Sequence, residues 1–310
     1  MASSERPVFD ADAPASGGAG ARPFMPDAAT RVVGLLGYPL AHSLSPLIHN
    51  TAFRAQGFNG LYVALPVAPG AVAEAVAGLK GLHFLGANVT LPHKQAVLPL
   101  MDALAPGAQA VGAVNTIVCR RMDGAVTLYG DNTDVAGFLK PLHPLVSLLH
   151  GAPMLILGAG GAARAVAYAL LRTFVPSRLT LVARTPARAE RLAQDLTTYD
   201  AAGALAVVHP DDARFAVQGS RLLVNATPLG MHPHVDSTPW PDVSAFSRDQ
   251  IVYDLVYKPA QTRLLRDAAA QGARVLGGLE MLIQQAAASY VQWTGREMPV
   301  DQVRMTLQPG

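Results

Sequence analysis

Gly158, Ala159, Gly160, Gly161, Ala162 and Ala163 spell G-x-G-x-x-A between an apolar run at 154–157 and an alanine-rich stretch that reads as a helix. In that setting the pattern suits the pyrophosphate of a dinucleotide. The first glycine permits a tight turn, the second lets backbone approach the anion, and the following helix offers unpaired N–H groups. About twenty residues further on, an NAD-binding chain usually places an acid for the ribose 2′-hydroxyl. Here the sequence reads Ala183-Arg184-Thr185-Pro186-Ala187-Arg188, with no carboxylate before Glu190. Two guanidinium groups and a hydroxyl suit a 2′-phosphate, so NADP(H) is expected rather than NAD(H). Two blander readings stay open: a glycine-rich turn without a ligand, and arginines lying on a solvated helix face.

Short polar clusters occur upstream: His42-Ser43-Leu44-Ser45-Pro46, the stretch 86–94 with Asn88, Thr90, His93 and Lys94, Gly112-Ala113-Val114-Asn115-Thr116, and Gly130-Asp131-Asn132-Thr133-Asp134. Ligands of open α/β sheets collect at the carboxyl ends of strands, so these clusters are expected to converge on one crevice. Ser45 and Asp134 could instead cap the helices that start beside them.

The elements that must position these groups follow from periodicity. Apolar runs at 31–37, 61–65 and 87–91 read as strands, with helices starting near Ser45, where Pro46 takes the first position, and over 71–80. The runs 115–120 and 125–130 read as a hairpin turning through Arg121, Met122, Asp123 and Gly124. A second series places strands at 153–157, 179–183, 221–226 and 251–257, and helices over 187–196, 262–271 and, after Gly277 and Gly278, roughly 281–293. Strands alternating with helices imply βαβ units and largely parallel sheets.

The ordered motifs resemble the shikimate dehydrogenase family over about residues 32–305. They are S-x-S-P at 43–46, N-V-T-x-P-x-K at 88–94, G-A-V-N-T at 112–116, N-T-D at 132–134, G-A-G-G-A at 158–162, N-A-T at 225–227, Tyr253-Asp254, Tyr257, and G-L-x-M-L-x-x-Q at 278–285. The resemblance implies NADPH-dependent reduction of 3-dehydroshikimate to shikimate, a step of aromatic amino-acid biosynthesis. It implies Lys94 and Asp134 as the catalytic pair. Ser43, Ser45 and Tyr257 would hold the substrate carboxylate, and Thr90, Asn115, Asp134 and Gln285 its hydroxyls. Gly158, Ala159, Gly160, Gly161, Ala162, Arg184, Thr185, Arg188, Leu255 and Gly278 would contact the cofactor. The implied fold is two α/β domains: a substrate-binding domain (31–134 plus 278–310) and a Rossmann-like NADP-binding domain (135–277). The C-terminal helix would return to the first domain.

The chemistry of the residue types agrees. Hydride delivery to a ketone leaves charge on oxygen, which an ammonium such as Lys94 can stabilise and protonate, with Asp134 orienting it. Hydroxyl and amide side chains suit a small polyhydroxy acid. Val135 and Glu280 replace residues that are commonly Gly, and Ala183 one that is often Asn, which removes a polar contact to the cofactor. The rival readings are a quinate or quinate/shikimate dehydrogenase, and a catalytically idle NADP-binding sensor or scaffold.

Composition bounds the rest. The 310 residues, half of them hydrophobic, suffice for two domains of about 150 residues each. With 24 basic against 22 acidic residues there is no broad basic face, so neither nucleic acid nor a membrane surface is expected as a partner. A monomer or homodimer is expected. Only four of the basic residues are lysines: Lys80, Lys94, Lys140 and Lys258. The single cysteine, Cys119, excludes an intramolecular disulfide and suits a reducing, cytoplasmic setting, as a buried small hydrophobe. Residues 1–30 carry charges and no apolar h-region, so they read as a flexible leader rather than a signal peptide. The charge-free stretch 141–163 has the length of a membrane span but is broken by prolines and glycines. His232-Pro233-His234 lacks a third ligand for a metal.

Overall fold

A computed structural model of the protein describes residues 25–307. The leader expectation for 1–24 lies outside these residues. Within the described remainder of that segment, Thr30 Oγ1 donates to Asn59 Oδ1 (2.8 Å) and Asn59 Nδ2 to Asp27 Oδ1 (2.9 Å).

The first series of elements is β1 (Arg31–Gly37), α1 (Ser45–Ala55), β2 (Gly60–Pro66), α2 (Val72–Gly81), β3 (Gly86–Val89), β4 (Ala103–Leu104), α3 (Pro106–Val111), β5 (Thr116–Met122), β6 (Ala125–Asp131), α4 (Asp134–Leu139) and α5 (Val146–Leu149). The second is β7 (Pro153–Leu157), α6 (Gly161–Thr173), β8 (Arg178–Val182), α7 (Pro186–Leu196), β9 (Leu205–Val208), α8 (Arg214–Gly219), β10 (Leu222–Asn225), β11 (Ile251–Asp254), α9 (Arg263–Ala270) and β12 (Arg274–Leu276). Helices α10 (Gly278–Thr294) and α11 (Val300–Leu307) follow.

The strands form two six-stranded sheets. The first has the order β2-β1-β3-β5-β6-β4, with β1 parallel to β2 and β3 and the β5–β6 hairpin antiparallel. The second, β12-β11-β10-β7-β8-β9, is parallel throughout. Its strands are near-continuous apolar runs because both faces are covered. Its order reverses between β7 and β10, the Rossmann switch point at which a crevice opens beyond the strand ends.

Helix α10 ties the sheets together. Its Met281 belongs to the core of the second sheet with Phe138 of α4, while Tyr290 and Trp293 pack with Val33, Leu35 and Phe53 under the first. Trp293 Nε1 donates to the Ile117 carbonyl of β5 at 3.0 Å. The C-terminal helix therefore returns to the first sheet.

Some elements differ from the sequence expectation. The hairpin turn is two residues, Asp123 (φ 50°) and Gly124 (φ 80°), and Arg121 and Met122 stay in the ladder. The strand expected over 251–257 ends at Asp254, whose carboxylate accepts from Asn225 Nδ2 (2.8 Å), the Val256 N–H (3.0 Å) and Thr262 Oγ1 (2.6 Å) and so turns the chain. Helix α10 begins three residues before the expected Met281, because Gly277 is already the extended residue before it. The stretch 141–163 resolves into a 3₁₀ turn, α5, β7, a glycine turn and the start of α6. No helix among the described residues is long and apolar enough to cross a membrane. Cys119 is buried, and burial pushes its thiol up to about 11.

Candidate active site

Asp134 is the first residue of α4 and follows the position that caps it, Thr133; no side-chain capping bond forms there. Its carboxylate is used elsewhere. Lys94 Nζ donates to Oδ2 at 2.6 Å, and Asn115 Nδ2 donates to Oδ1 at 2.8 Å. The Lys94 and Asp134 side chains are only 18% and 9% exposed, so water screens the pair poorly and the charge-assisted bond is strong. The Asn115 amide has one possible orientation: the Thr133 N–H, which can only donate, meets Oδ1 at 2.7 Å, and Nδ2 must therefore face Asp134. Ser45 likewise is no cap. Leu44 takes that position, and the Ser45 N–H donates to Ser43 Oγ at 3.3 Å.

These groups open onto a cavity of about 530 Å³ between the carboxyl ends of the two sheets. From the first sheet it is lined by Ser43, Ser45, Asn88, Thr90, Lys94, Asn115 and Asp134; α10 contributes Gln285, and Tyr257 comes from the loop after β11. Burial pushes the Tyr257 phenol up, so it is a neutral donor at ordinary pH. Asn88 was assigned no role from sequence, yet it lines the cavity and knits its floor. Tyr62 Oη donates to its Oδ1 (2.9 Å), while its Nδ2 lies within bonding distance of the Asn115 carbonyl and Thr116 Oγ1, each at 3.1 Å. Its place in the 88–94 cluster was the only signal.

The opposite wall comes from the second sheet: Gly160, Gly161, Ala162, Leu255 and Gly278. Gly158, after β7, has φ +114°, and a Cβ there would lie 3.0 Å from the Ala226 carbonyl oxygen, so a side chain is excluded by conformation and by contact. At Gly160 and Gly161 a Cβ would meet nothing within 4 Å, which leaves open space over the backbone. No side chain caps the 13-residue α6, so its first N–H groups face that space. A second cavity of about 650 Å³ is lined by Gly158, Ala183, Arg184, His209, Arg214 and Trp240, and shares Thr227 with the first. A pyrophosphate on α6 with a 2′-phosphate by Arg184 fits this arrangement. Ala159, Thr185 and Arg188 line neither cavity; Thr185 precedes α7, and Arg188 is exposed on its first turn.

Two buried side chains brace the loops on this wall. Asn225 Nδ2 donates to Asp254 Oδ1, and Asn225 Oδ1 accepts from the Thr227 N–H at 2.9 Å. Burial raises the Asp254 carboxyl, against the Thr262, Val256 and Asn225 donors that lower it. Glu280 is bound by Arg304 and Gln284 and does not line the cavity. His232 packs edge-on to His42, with ring centroids 5.9 Å apart.

Residues 35–117 match the family model described as the shikimate dehydrogenase substrate binding domain, and residues 278–308 that of the shikimate 5′-dehydrogenase C-terminal domain. A protein of Salinibacter ruber named shikimate dehydrogenase (NADP(+)) is 60% identical over 275 residues, 88% of this chain and 95% of its own length. The shikimate 5-dehydrogenase of Thermus thermophilus, solved in complex with NADP(H) and shikimate, aligns with a TM-score of 0.77 at 37% identity, covering 89% of this chain and 98% of that one. A quinate dehydrogenase of Corynebacterium glutamicum, solved in complex with NAD, aligns with a TM-score of 0.81 at 33% identity, again covering 89% and 98%.

Proposed function

The chain belongs to the shikimate dehydrogenase family, and we propose that Lys94 and Asp134 are the acid–base pair with which it reduces 3-dehydroshikimate to shikimate. The enzyme is an NADP-dependent oxidoreductase, and the reaction is reversible. The observation that carries the residue assignment is the 2.6 Å Lys94–Asp134 pair, held in a cavity whose other wall is the open N-terminus of α6.

When held on this wall, the reduced dinucleotide would supply the hydride. Lys94 stabilises the charge that develops on the ketone oxygen and donates the proton that completes the hydroxyl. Asp134 holds the Lys94 ammonium through Oδ2 and accepts a substrate hydroxyl; Asn115 fixes the carboxylate through Oδ1. Ser43, Ser45 and Tyr257 bind the substrate carboxylate, and Thr90, Asn115 and Gln285 its hydroxyls. Such a site rejects analogues lacking a hydroxyl, because its buried donors would then be left unpaired. Gly158, Gly160, Gly161, Ala162, Leu255 and Gly278 form the cofactor wall and Arg184 meets the 2′-phosphate, while Ala159, Thr185 and Arg188 flank these positions without lining either cavity.

The substrate unit is 31–134 plus 278–310, and the cofactor unit 135–277. The chain acts as a monomer or a homodimer on this reading. A cytoplasmic setting agrees with the single, buried cysteine. Lys94→Met tests the assignment. Turnover should fall by roughly 10²–10⁴ while NADPH still binds, as read by its fluorescence; wild-type turnover would remove Lys94 from the mechanism.

A further inference from the structure

We propose that Ser289 of α10 is a positioning residue for the reduction, acting on the catalytic pair through the hydroxyls of Thr116 and Thr133. Ser289 is fully buried and does not line the cavity. Its Oγ lies 2.8 Å from Thr116 Oγ1, 3.1 Å from Thr133 Oγ1 and 3.0 Å from Asn88 Nδ2, and it can donate to the Gln285 carbonyl of its own helix at 3.1 Å. Residues of β3, β5, the start of α4 and α10 thus meet at one oxygen.

The two threonine hydroxyls also reach the Asn115 carboxamide oxygen, at 3.0 Å from Thr116 and 3.1 Å from Thr133. That oxygen must stay where it is for Nδ2 to hold Asp134 Oδ1, and Asp134 in turn holds Lys94. A hydroxyl has one proton and two lone pairs, so a threonine that donates to Asn115 needs a partner on its remaining lone pairs. Asn88 Nδ2 can supply that donor to Thr116, and the single Ser289 proton can supply it to one threonine at a time in place of the Gln285 carbonyl. Asn88 is oriented from the other side by Tyr62 Oη, which meets its Oδ1 and turns its Nδ2 toward Ser289. Without the Ser289 hydroxyl, Thr116 and Thr133 each lose a buried partner. Their rotors are then free to leave Asn115, which loosens the Asn115 amide and the Asp134 carboxylate without removing any group that touches substrate.

The inference rests on Lys94 and Asp134 being the catalytic pair, and the experiment separates the two. Ser289→Ala, Ser289→Thr and Lys94→Met are compared with wild type for kcat with 3-dehydroshikimate, KM for NADPH and thermal melting. Loss of one buried bond acting on the pair lowers kcat about tenfold in Ser289→Ala, with KM for NADPH within about twofold of wild type. Ser289→Thr, which keeps the hydroxyl, should hold kcat within about threefold. A purely structural role would lower the melting temperature and leave kcat unchanged. Wild-type kcat in a folded Ser289→Ala, or equal losses in the Ala and Thr variants, overturns the proposal. If Ser289→Ala does not fold, Ser289→Cys, close in size but a weak hydrogen-bonding group, is judged by the same kcat criterion. Wild-type turnover in Lys94→Met overturns the underlying assignment instead; lost turnover there beside wild-type kcat in Ser289→Ala removes the positioning role alone.

Discussion

Gly137 of α4 lies so close to Gln285 of α10 that a Cβ at position 137 would stand 2.7 Å from Gln285 Cβ, and 2.8 Å from both the Gln285 nitrogen and the Met281 carbonyl oxygen. The helix that begins with Asp134 can therefore rest directly on the helix that carries Gln285 and Ser289, which brings these three residues to one seam. Two of the three contacts are backbone atoms and have little freedom to retreat.

Gly137→Ala puts that seam to the test. Alanine gains about 1 kcal/mol of helix propensity, but the overpacking here costs about 1–3 kcal/mol, and the rigid backbone neighbours place it at the upper end. Lower thermal stability and a lower kcat are expected together. A variant more stable than wild type, as propensity alone would give, would show that the helices are free to separate.

Arg184 lines the second cavity while Arg188 lies exposed on α7. Arg184→Ala should therefore raise KM for NADPH by roughly tenfold or more and leave that for NADH nearly unchanged, since one charge-assisted contact is worth about 1.5–3 kcal/mol. Steady-state kinetics with both cofactors measures this. Equal small effects on the two would mean that Arg184 does not meet the 2′-phosphate.

His49 is fully buried, stacked on Tyr62 with ring centroids 4.4 Å apart, and neither ring nitrogen has a hydrogen-bond partner. Burial pushes its pKa down from the ordinary 6.5 to about 3. The unfolded chain then binds the extra proton, so the histidine's contribution to stability is complete above pH 6.5 and is lost as pH falls from there toward 3. Between pH 7 and pH 5 the loss is ~2 kcal/mol. His49→Phe keeps a stacking ring and cannot titrate, so denaturant midpoints should fall less over that interval than in wild type. Identical pH dependence in both proteins would show that His49 is not held neutral.

What could be seen in the sequence depended on how local the determinants are. The dinucleotide turn was legible because Gly158, Gly160 and the start of α6 are adjacent in the chain, and β7 is an uninterrupted apolar run. Ser43, Ser45, Lys94, Asn115 and Asp134 were legible through the family's motifs, and the fold brings them to one cavity. Capping was a fair alternative for Asp134 from local sequence alone. It yields because Lys94 and Asn115, 40 and 19 residues away, claim the carboxylate. Ser289 carried no signal at all, since its partners Thr116 and Asn88 lie 173 and 201 residues upstream. The end of β11 is hidden in the sequence because Leu255, Val256 and Tyr257 continue an apolar pattern, while the buried Asp254 that stops the strand is satisfied by Asn225 and Thr262 from other segments.

Whether the chain is a shikimate oxidoreductase that prefers NADP is decided by initial rates of oxidation of shikimate and of quinate, each with NADP⁺ and with NAD⁺. Shikimate with NADP⁺ should give the highest kcat/KM of the four pairs. The NAD⁺ pairs should fall at least about tenfold below their NADP⁺ counterparts through the lost 2′-phosphate contact. A kcat/KM for quinate equal to or above that for shikimate, or a preference for NAD⁺, would refute the assignment.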